Sequence, residues 1–163
     1  MKAIVQQQQL SHGVSVVARA VSARSTLPVL SNILIKTDDG RLRLSATNLE
    51  LGISCWIGAN IQEEGGVTVP ARTFADLISN LPNDEVVLSL DTRTQTLNVR
   101  CGGLNSDIKC ISADEFPPMP SPDLEASLPL NVTNFKEMIQ QVVFAASTED
   151  TRPSLTGVHL TYE

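Results

Sequence analysis

The chain has 163 residues, a formal net charge of −6 and a hydrophobic content of 42%, of which little is aromatic. This size fits one domain of about 125 residues followed by the opening of a second. No apolar run reaches the roughly 20 residues that a membrane-spanning helix needs, and the N-terminus lacks the apolar segment of a signal peptide, so we expect a cytoplasmic protein. The acidic total argues against nucleic-acid binding, but the placement of Lys and Arg decides that question.

The first elements are a short strand at residues 2–6 and an amphipathic helix from about residue 7 to residue 22. Apolar residues recur in the helix at the spacing of one helical stripe. The stripe consists of Leu10, Val14, Val17 and Val21. The opposite face carries Gln8, His12, Ser15 and Arg19. This polar face holds no acidic residue.

Consecutive strands joined by hairpins follow the first helix. We expect strands at 31–37, 41–46, 49–61 and 67–69, with Asp38-Asp39-Gly40 as a tight turn because Asp-Gly accepts positive φ. A second helix begins at Pro70-Ala71-Arg72, since proline suits the first helical turn. Three strands then follow at 85–90, 95–101 and 106–111. Helices combined with hairpin-connected strands predict an α+β domain with antiparallel sheets.

Four prolines between residues 117 and 122 make the next segment stiff and extended. We therefore expect a first domain at 1–117, a proline-rich linker at 118–126 and the truncated start of a second domain at 127–163. In that second domain we expect a strand at 128–132, Thr133 as a helix N-cap, a helix at 134–146 and a closing strand.

The chain contains an internal repeat. Residues 26–35 align without a gap with residues 151–160, and Thr26, Pro28 and Leu30 recur identically 125 positions later. A shared register over about thirty residues indicates one supersecondary unit used twice. We expect the sequence to be the front part of a longer protein.

No motif for catalysis, phosphate binding or metal binding is present. The glycine pairs lie in hairpins without a phosphate-loop spacing. Of the two histidines, His12 lies on an exposed helix face and His159 in a predicted strand, where a sheet-face position is expected. The spacings of Cys55, Cys101 and Cys110 match no zinc site and are typical of reduced thiols in a protein interior. We expect no enzyme activity, no metal and no cofactor.

Five segments resemble the bacterial sliding clamp family, the DNA polymerase III beta subunit. They are Arg24–Leu34, Thr47–Glu50, Val69–Arg72, Asp114–Pro117 and Arg152–Val158. The resemblance runs in collinear order through all 163 residues and implies the DNA clamp fold, in which each pseudo-symmetric domain packs two helices on antiparallel sheets. It implies a processivity factor of the replicative polymerase that works beside the nucleoid. Two subunits would close head to tail around duplex DNA without reading its sequence.

The resemblance also implies site residues. Those expected to face DNA are Arg24, Arg19, Arg72, His12, Lys136 and Gln140. Arg152 and Leu155 would belong to the cleft where the polymerase and the clamp loader dock. Leu104, Ile108 and Lys109 would lie at the interface with the second subunit of the homodimer. The alternative left open by the residues is a non-catalytic α+β interaction module unrelated to DNA.

Overall fold

The computed structural model describes residues 1–22, 27–119, 128–149 and 151–161. The chain divides into two compact units, Met1–Pro120 and Ser121–Glu163. The predicted linker, 118–126, falls mostly on residues outside the described ranges.

The first unit contains ten strands and two α-helices among its described residues. The strands of the first half are β1 (Lys2–Gln6), β2 (Asn32–Asp38), β3 (Arg41–Thr47), β4 (Gly52–Gly58) and β5 (Asn60–Glu63). Those of the second half are β6 (Gly66–Pro70), β7 (Glu85–Asp91), β8 (Thr96–Cys101), β9 (Leu104–Lys109) and β10 (Ile111–Ser112). Helix α1 spans Gln7–Val17 and continues as a 3-10 turn at Ala18–Ala20, and α2 spans Ala71–Ser79.

The ten strands form two antiparallel sheets with equivalent topologies. One sheet has the order β5-β1-β7-β8-β9 and the other has the order β10-β6-β2-β3-β4. Adding five to each strand number, and counting on from β1 after β10, converts the first order into the second. Helices α1 and α2 occupy equivalent places, each directly after a strand at the second position of its sheet. The prediction of a pseudo-symmetric α+β domain with two helices on antiparallel sheets is confirmed.

One hydrophobic core joins both sheets to both helices. The stripe of α1 is buried at Leu10, Val14 and Val17, and α2 contributes Phe74 and Ile78. Gly13 explains how closely α1 approaches the sheet. A Cβ at this position would lie 2.8 Å from the Leu44 side chain, so no other residue fits without displacement. The cost of glycine within a helix, about 1 kcal/mol, is offset by this close contact.

The start of α1 is tied to the end of α2. The buried side chain of Gln7 donates from Nε2 to the carbonyl oxygen of Ile78 at 2.8 Å. The backbone N–H of Gln7 donates to the carbonyl oxygen of Asp84 at 3.0 Å. These bonds satisfy polar groups at both helix termini, which fixes how the two helices lie beside each other.

The prediction of one long strand at 49–61 is wrong. Strand β4 ends at Gly58 and pairs with β3, whereas β5 begins at Asn60 and pairs with β1 in the other sheet. A similar transfer separates β9 from β10 at Cys110, where a single strand at 106–111 was predicted. The apolar alternation continues through both transfers because the two sheets share one core, so the sequence pattern did not show the break.

The turn at Asp39-Gly40 has the predicted hairpin geometry. Asp39 has φ 47° and Gly40 has φ 73°, which are the positive values of a type I′ turn. The turn connects β2 to β3, and Asp38 pairs directly with Arg41.

The second unit contains helix α3, Val132–Val142, followed by a 3-10 turn at Val143–Ala145. Its N-cap is Asn131, whose side chain accepts a hydrogen bond from the N–H of Asn134 at 3.1 Å. The predicted N-cap at Thr133 is therefore wrong, because the helix begins earlier. No strand occurs among the described residues of this unit, so the expected strand at 128–132 and the expected closing strand are also wrong. A strand requires a partner, and none is described here.

The internal repeat is confirmed by its hydrogen bonds. Helices α1 and α3, with their 3-10 turns, are displaced by 125 residues at both ends. The Ser22 N–H donates to the Leu30 carbonyl oxygen at 3.0 Å, and the equivalent bond joins Ser147 to Leu155 at 2.8 Å. The same chain path after the helix is therefore used twice.

All three cysteines are free, and their burial differs. Cys101 is buried, whereas Cys55 and Cys110 are half-buried. Burial raises the pKa of the Cys101 thiol and, separately, that of the Cys110 thiol. Both thiols are thereby kept protonated and poorly reactive near neutral pH.

Replacing Phe74 by alanine should destabilise the first unit by about 3–5 kcal/mol. Phe74 is fully buried between α2 and the sheets, so its loss leaves a cavity in the shared core. Urea denaturation monitored by circular dichroism measures the effect. Thr73→Ala, on the exposed side of the same turn, is the matched control, and equal destabilisation by both variants would contradict the core assignment.

Asn131→Ala should destabilise α3 by about 1 kcal/mol, because it removes the side-chain acceptor for the Asn134 N–H. Backbone amide exchange of residues 134–136 measures the fraying of the first turn. Thr133→Ala is the control and should change little. If Thr133→Ala destabilised the helix more than Asn131→Ala, Thr133 would be the N-cap, as the sequence predicted.

Candidate nucleic-acid interface

The exposed side of α1 carries polar and basic groups without an acid. His12 and Ser15 are exposed, and the Ser15 hydroxyl donates to the His12 carbonyl oxygen at 2.7 Å. Arg19 is exposed in the 3-10 turn that continues the helix. The sequence produces this surface because one helical stripe is buried and the residues between its members turn away from the core.

Helix α2 places Arg72 at its second residue, where the side chain is exposed. Pro70 occupies the N-cap and supplies no side-chain acceptor, so the first-turn N–H groups receive no side-chain cap. Unpaired N–H groups and a cationic side chain at a helix start both favour an anion. Asp76, one turn further along, is exposed and offsets part of this charge.

Helices α1 and α2 pack beside each other, and the 3-10 turn that carries Arg19 also contacts α2. No hydrogen bond or ion pair joins the side chains of His12, Arg19 and Arg72 to another described residue. The salt bridge within the described ranges lies elsewhere, between Arg43 Nη1 and Asp38 Oδ2 at 3.6 Å. Within the described ranges, the guanidinium groups of Arg19 and Arg72 and the exposed imidazole of His12 are therefore not engaged by another residue.

Three further residues are expected to face DNA: Arg24, Lys136 and Gln140. Arg24 lies outside the described residues. Lys136 and Gln140 belong to the second unit, where both are exposed and lie one turn apart on α3. Glu137 is exposed on the same helix, so its charge lies next to that of Lys136.

Most acidic side chains of the first unit lie at turns and strand ends. Asp39, Glu64, Asp84 and Asp91 are exposed at such positions. At Asp91, hydrogen bonds from the Thr94 side chain and the Arg93 N–H lower the pKa of the carboxyl group. Negative charge is thus concentrated in turns and at strand ends, while α1 has none.

The predicted subunit-interface residues lie on β9, the last strand of its sheet. Leu104 is 51% exposed, whereas Ile108 is 6% exposed and belongs to the core. Lys109 Nζ donates to the Thr94 carbonyl oxygen at 3.2 Å and to Thr96 Oγ1 at 3.0 Å. An apolar contact at this edge would therefore involve Leu104, with Ile108 supporting the strand from within.

The two predicted cleft residues are exposed near the end of the chain. Leu155 lines an open groove of 370 Å³ together with Val142, Ala146 and Val158, and Arg152 lies outside that lining. The Leu155 backbone is held by the Ser147 N–H. The structure thus brings Leu155, but not Arg152, into a concave surface.

Sequence reasoning missed a cavity of 540 Å³ in the first unit, lined by Lys36, Arg43 and Gln95 among others. Lys36 and Arg43 come from the β2–β3 hairpin and Gln95 from the β7–β8 hairpin, and the three residues form no motif. The one available signal was a pair of basic residues on two strands joined by the Asp39-Gly40 turn.

Comparisons with known proteins decide the family. Residues 1–120 match the family described as DNA polymerase III beta subunit, N-terminal domain. The chain belongs to this family. It is 38% identical to the beta sliding clamp of Synechocystis sp. over 98% of its residues, and 36% identical to that of Streptomyces coelicolor over its whole length. In both comparisons it covers 43% of the relative.

Solved structures of the family have the same fold. Caulobacter crescentus pol III beta superposes on 96% of the chain with a TM-score of 0.87 and 32% identity, and the match covers 43% of that protein. A Bartonella birtlesii sliding clamp bound to griselimycin superposes on 93% of the chain with a TM-score of 0.86 and 31% identity, covering 41% of that protein. The alternative of a module unrelated to DNA receives no support from this membership.

None of the helices in the described ranges combines the length and apolar character needed to cross a membrane. The same ranges contain no group of three His, Cys, Asp or Glu side chains able to hold a metal ion.

Arg19→Gln and Arg72→Gln should each change the free energy of unfolding by less than about 0.5 kcal/mol, because neither side chain has a partner among the described residues. Gln7→Ala is the positive control and should cost about 1–2 kcal/mol, since it removes the buried bond to Ile78. Urea denaturation measures the free energy of unfolding of each variant. A large loss for either arginine variant would show a structural role instead.

Proposed function

We propose that this chain is the N-terminal part of a sliding clamp, a processivity factor that encircles duplex DNA and tethers the replicative polymerase. The observation that carries the proposal is the acid-poor surface of α1, which adjoins the start of α2 in a member of the DNA polymerase III beta subunit family. Arg19 and Arg72 are exposed there and have no partner among the described residues.

The charge pattern suits contact with phosphates without sequence readout. Lysine and arginine that neutralise phosphates bind any sequence, and loose contacts of this kind permit sliding. Arg24, Arg19, Arg72 and His12 would supply these contacts from the first unit, and Lys136 and Gln140 from α3. A closed ring adds a topological link, so strong affinity per residue is unnecessary. Acidic turns and strand ends on the outer side of the sheets would discourage DNA from binding there.

Ring closure would use the outer edge of β9 in a head-to-tail homodimer. An edge strand presents unpaired backbone groups that can extend a sheet into a second subunit. Leu104 would provide apolar contact beside that edge, with Ile108 holding the strand to the core and Lys109 at its end. The bonds of Lys109 to Thr94 and Thr96 would orient its ammonium group.

Arg152 and Leu155 would form part of the cleft for short peptide motifs of the polymerase and the clamp loader. We propose the domain organisation expected from the sequence, with a first clamp domain at 1–117, a linker at 118–126 and the start of a second domain at 127–163. The protein would have no catalytic site and no cofactor, and it would act in the bacterial cytoplasm at the replicating nucleoid.

In the full-length protein that contains this chain, Arg72→Glu and Arg24→Glu should each reduce retention on nicked circular DNA several-fold at 150 mM salt, because a negative charge would repel phosphates. Retention is measured as the number of clamps that stay on the circular DNA after gel filtration. Arg93→Glu, at the exposed β7–β8 turn, is the control and should retain normally.

The 163-residue chain by itself should show negligible affinity for linear DNA in the same buffer, because it cannot close around the duplex. If Arg72→Glu, Arg24→Glu and the control Arg93→Glu were all retained equally well, the helical surface would not be the contact with DNA. If the chain bound linear DNA tightly, contact affinity and not encirclement would explain how it binds DNA.

A further inference from the structure

The outer face of the second sheet, β10-β6-β2-β3-β4, carries a row of three side chains that point away from α1 and α2. Lys36 of β2, Arg43 of β3 and Trp56 of β4 are directly opposed in the two strand pairs. Ile35 and Ile57, which adjoin two of them in sequence, belong to the shared core, so the alternation along each strand turns the row outward. Adjacent strands lie about 4.8 Å apart, and the row therefore spans about 10 Å.

Trp56 is 43% exposed on β4, the edge strand of this sheet. Its neighbours on the outward side of the strand are Ser54 and Gly58, which are too small to cover the indole ring. The indole N–H donates to Asp38 Oδ2 at 2.7 Å, and this bond holds one edge of the ring against the sheet. A flat aromatic surface is thus fixed in orientation before any ligand binds, so a planar group can stack on it at little cost in side-chain entropy.

Cationic side chains flank the ring. Arg43 Nη1 lies 3.6 Å from Asp38 Oδ2, so the charge of this carboxylate is offset within the sheet face. Lys36 and Arg41 are exposed, and neither forms a hydrogen bond or an ion pair with another described residue. Arg41 lies two residues before Arg43 and therefore diagonally across from Trp56, at a separation that a long side chain can bridge.

A single strand of nucleic acid carries groups complementary to both features of this face. Its bases stack on aromatic rings, and its phosphates pair with Lys and Arg. A duplex offers no free base face, because its bases stack on one another, and an acidic peptide would leave the ring uncovered. Asp39 is exposed in the β2–β3 turn and Asp114 lines the same cavity as Lys36, so repulsion keeps the expected affinity low.

We propose that the outer face of the second sheet binds single-stranded DNA, with one base stacked on Trp56 and the adjoining phosphates held by Lys36 and Arg41. Membership of the DNA polymerase III beta subunit family favours DNA over RNA as the strand. This face lies on the opposite side of the sheet from α1 and α2. It therefore does not depend on the helical surface proposed to face duplex DNA, or on closure of a ring.

Titration of fluorescein-labelled oligo(dT), about 12 nucleotides long, with the whole chain tests the proposal at about 20 mM salt. The anisotropy should saturate with a dissociation constant on the order of 0.1 mM. Stacking should quench the fluorescence of Trp56, the sole tryptophan, along the same curve. The plot of log K against log salt should have a slope of about −1.4, as expected for two phosphate contacts on a single strand, so binding weakens more than about tenfold by 150 mM salt.

Variants separate stacking from charge. Trp56→Leu should weaken binding at least about fivefold because it removes the stacking surface, and Trp56→Phe should restore part of the affinity. Lys36→Gln and Arg41→Gln should each reduce the salt slope by about 0.7, and these two variants test the proposal even if Trp56→Leu fails to fold. Arg93→Gln, at the exposed β7–β8 turn, is the matched control. Arg72→Gln, on the helical surface, should bind oligo(dT) as the unchanged chain does.

Equal affinities of Trp56→Leu and Arg93→Gln would overturn the proposal. A loss of binding with Arg72→Gln alone would assign the strand to the helical surface instead. Equal binding of an abasic oligonucleotide or of an oligoglutamate of the same length would show that charge alone is recognised and that no base stacks on the ring. Tighter binding of oligo(U) than of oligo(dT) would make RNA the ligand, and tighter binding of a duplex would contradict a site for single strands.

Discussion

The shared core of two five-stranded sheets and two helices is the constraint on which the first unit depends. Each sheet buries one face against α1 and α2, so every strand must present its apolar residues to the same interior. Gly13 sets the distance between α1 and β3, and Gln7 ties the helix start to the end of α2. With the apolar stripes fixed inward, the polar sides of the helices are necessarily exposed. The DNA-facing proposal is a consequence of this burial.

The structure separates charge by element type. Acidic residues occupy turns and strand ends, where Asx-type hydrogen bonds such as those of Asp91 favour them. Helix α1 lacks acids altogether. A chain with a net charge of −6 can therefore present a basic surface, because the position of each charge decides which partner it attracts.

Periodicity predicted the helices, most strands and the turn at Asp39-Gly40, because these features depend on local spacing and on φ. Periodicity failed where the secondary structure depended on pairing between strands far apart in the sequence. Strands β4 and β5 share one alternating pattern yet join different sheets, and residues 128–131 are not a strand without a neighbour to pair with. Exposure of Arg19 and Arg72 followed from the helical pattern. The cavity at Arg43 and Gln95 did not, since four separate chain segments form it.

The hydrogen bond that follows α1 is repeated after α3 in different surroundings. In the first unit the Ser22–Leu30 bond lies beside a packed core, but the Ser147–Leu155 bond forms in a unit whose described side chains are all at least partly exposed. The helix, its final 3-10 turn and the return of the chain therefore keep one hydrogen-bonded path in two different surroundings. A short-range bond of this kind depends on residues only eight positions apart, so it does not require the pairing of distant strands.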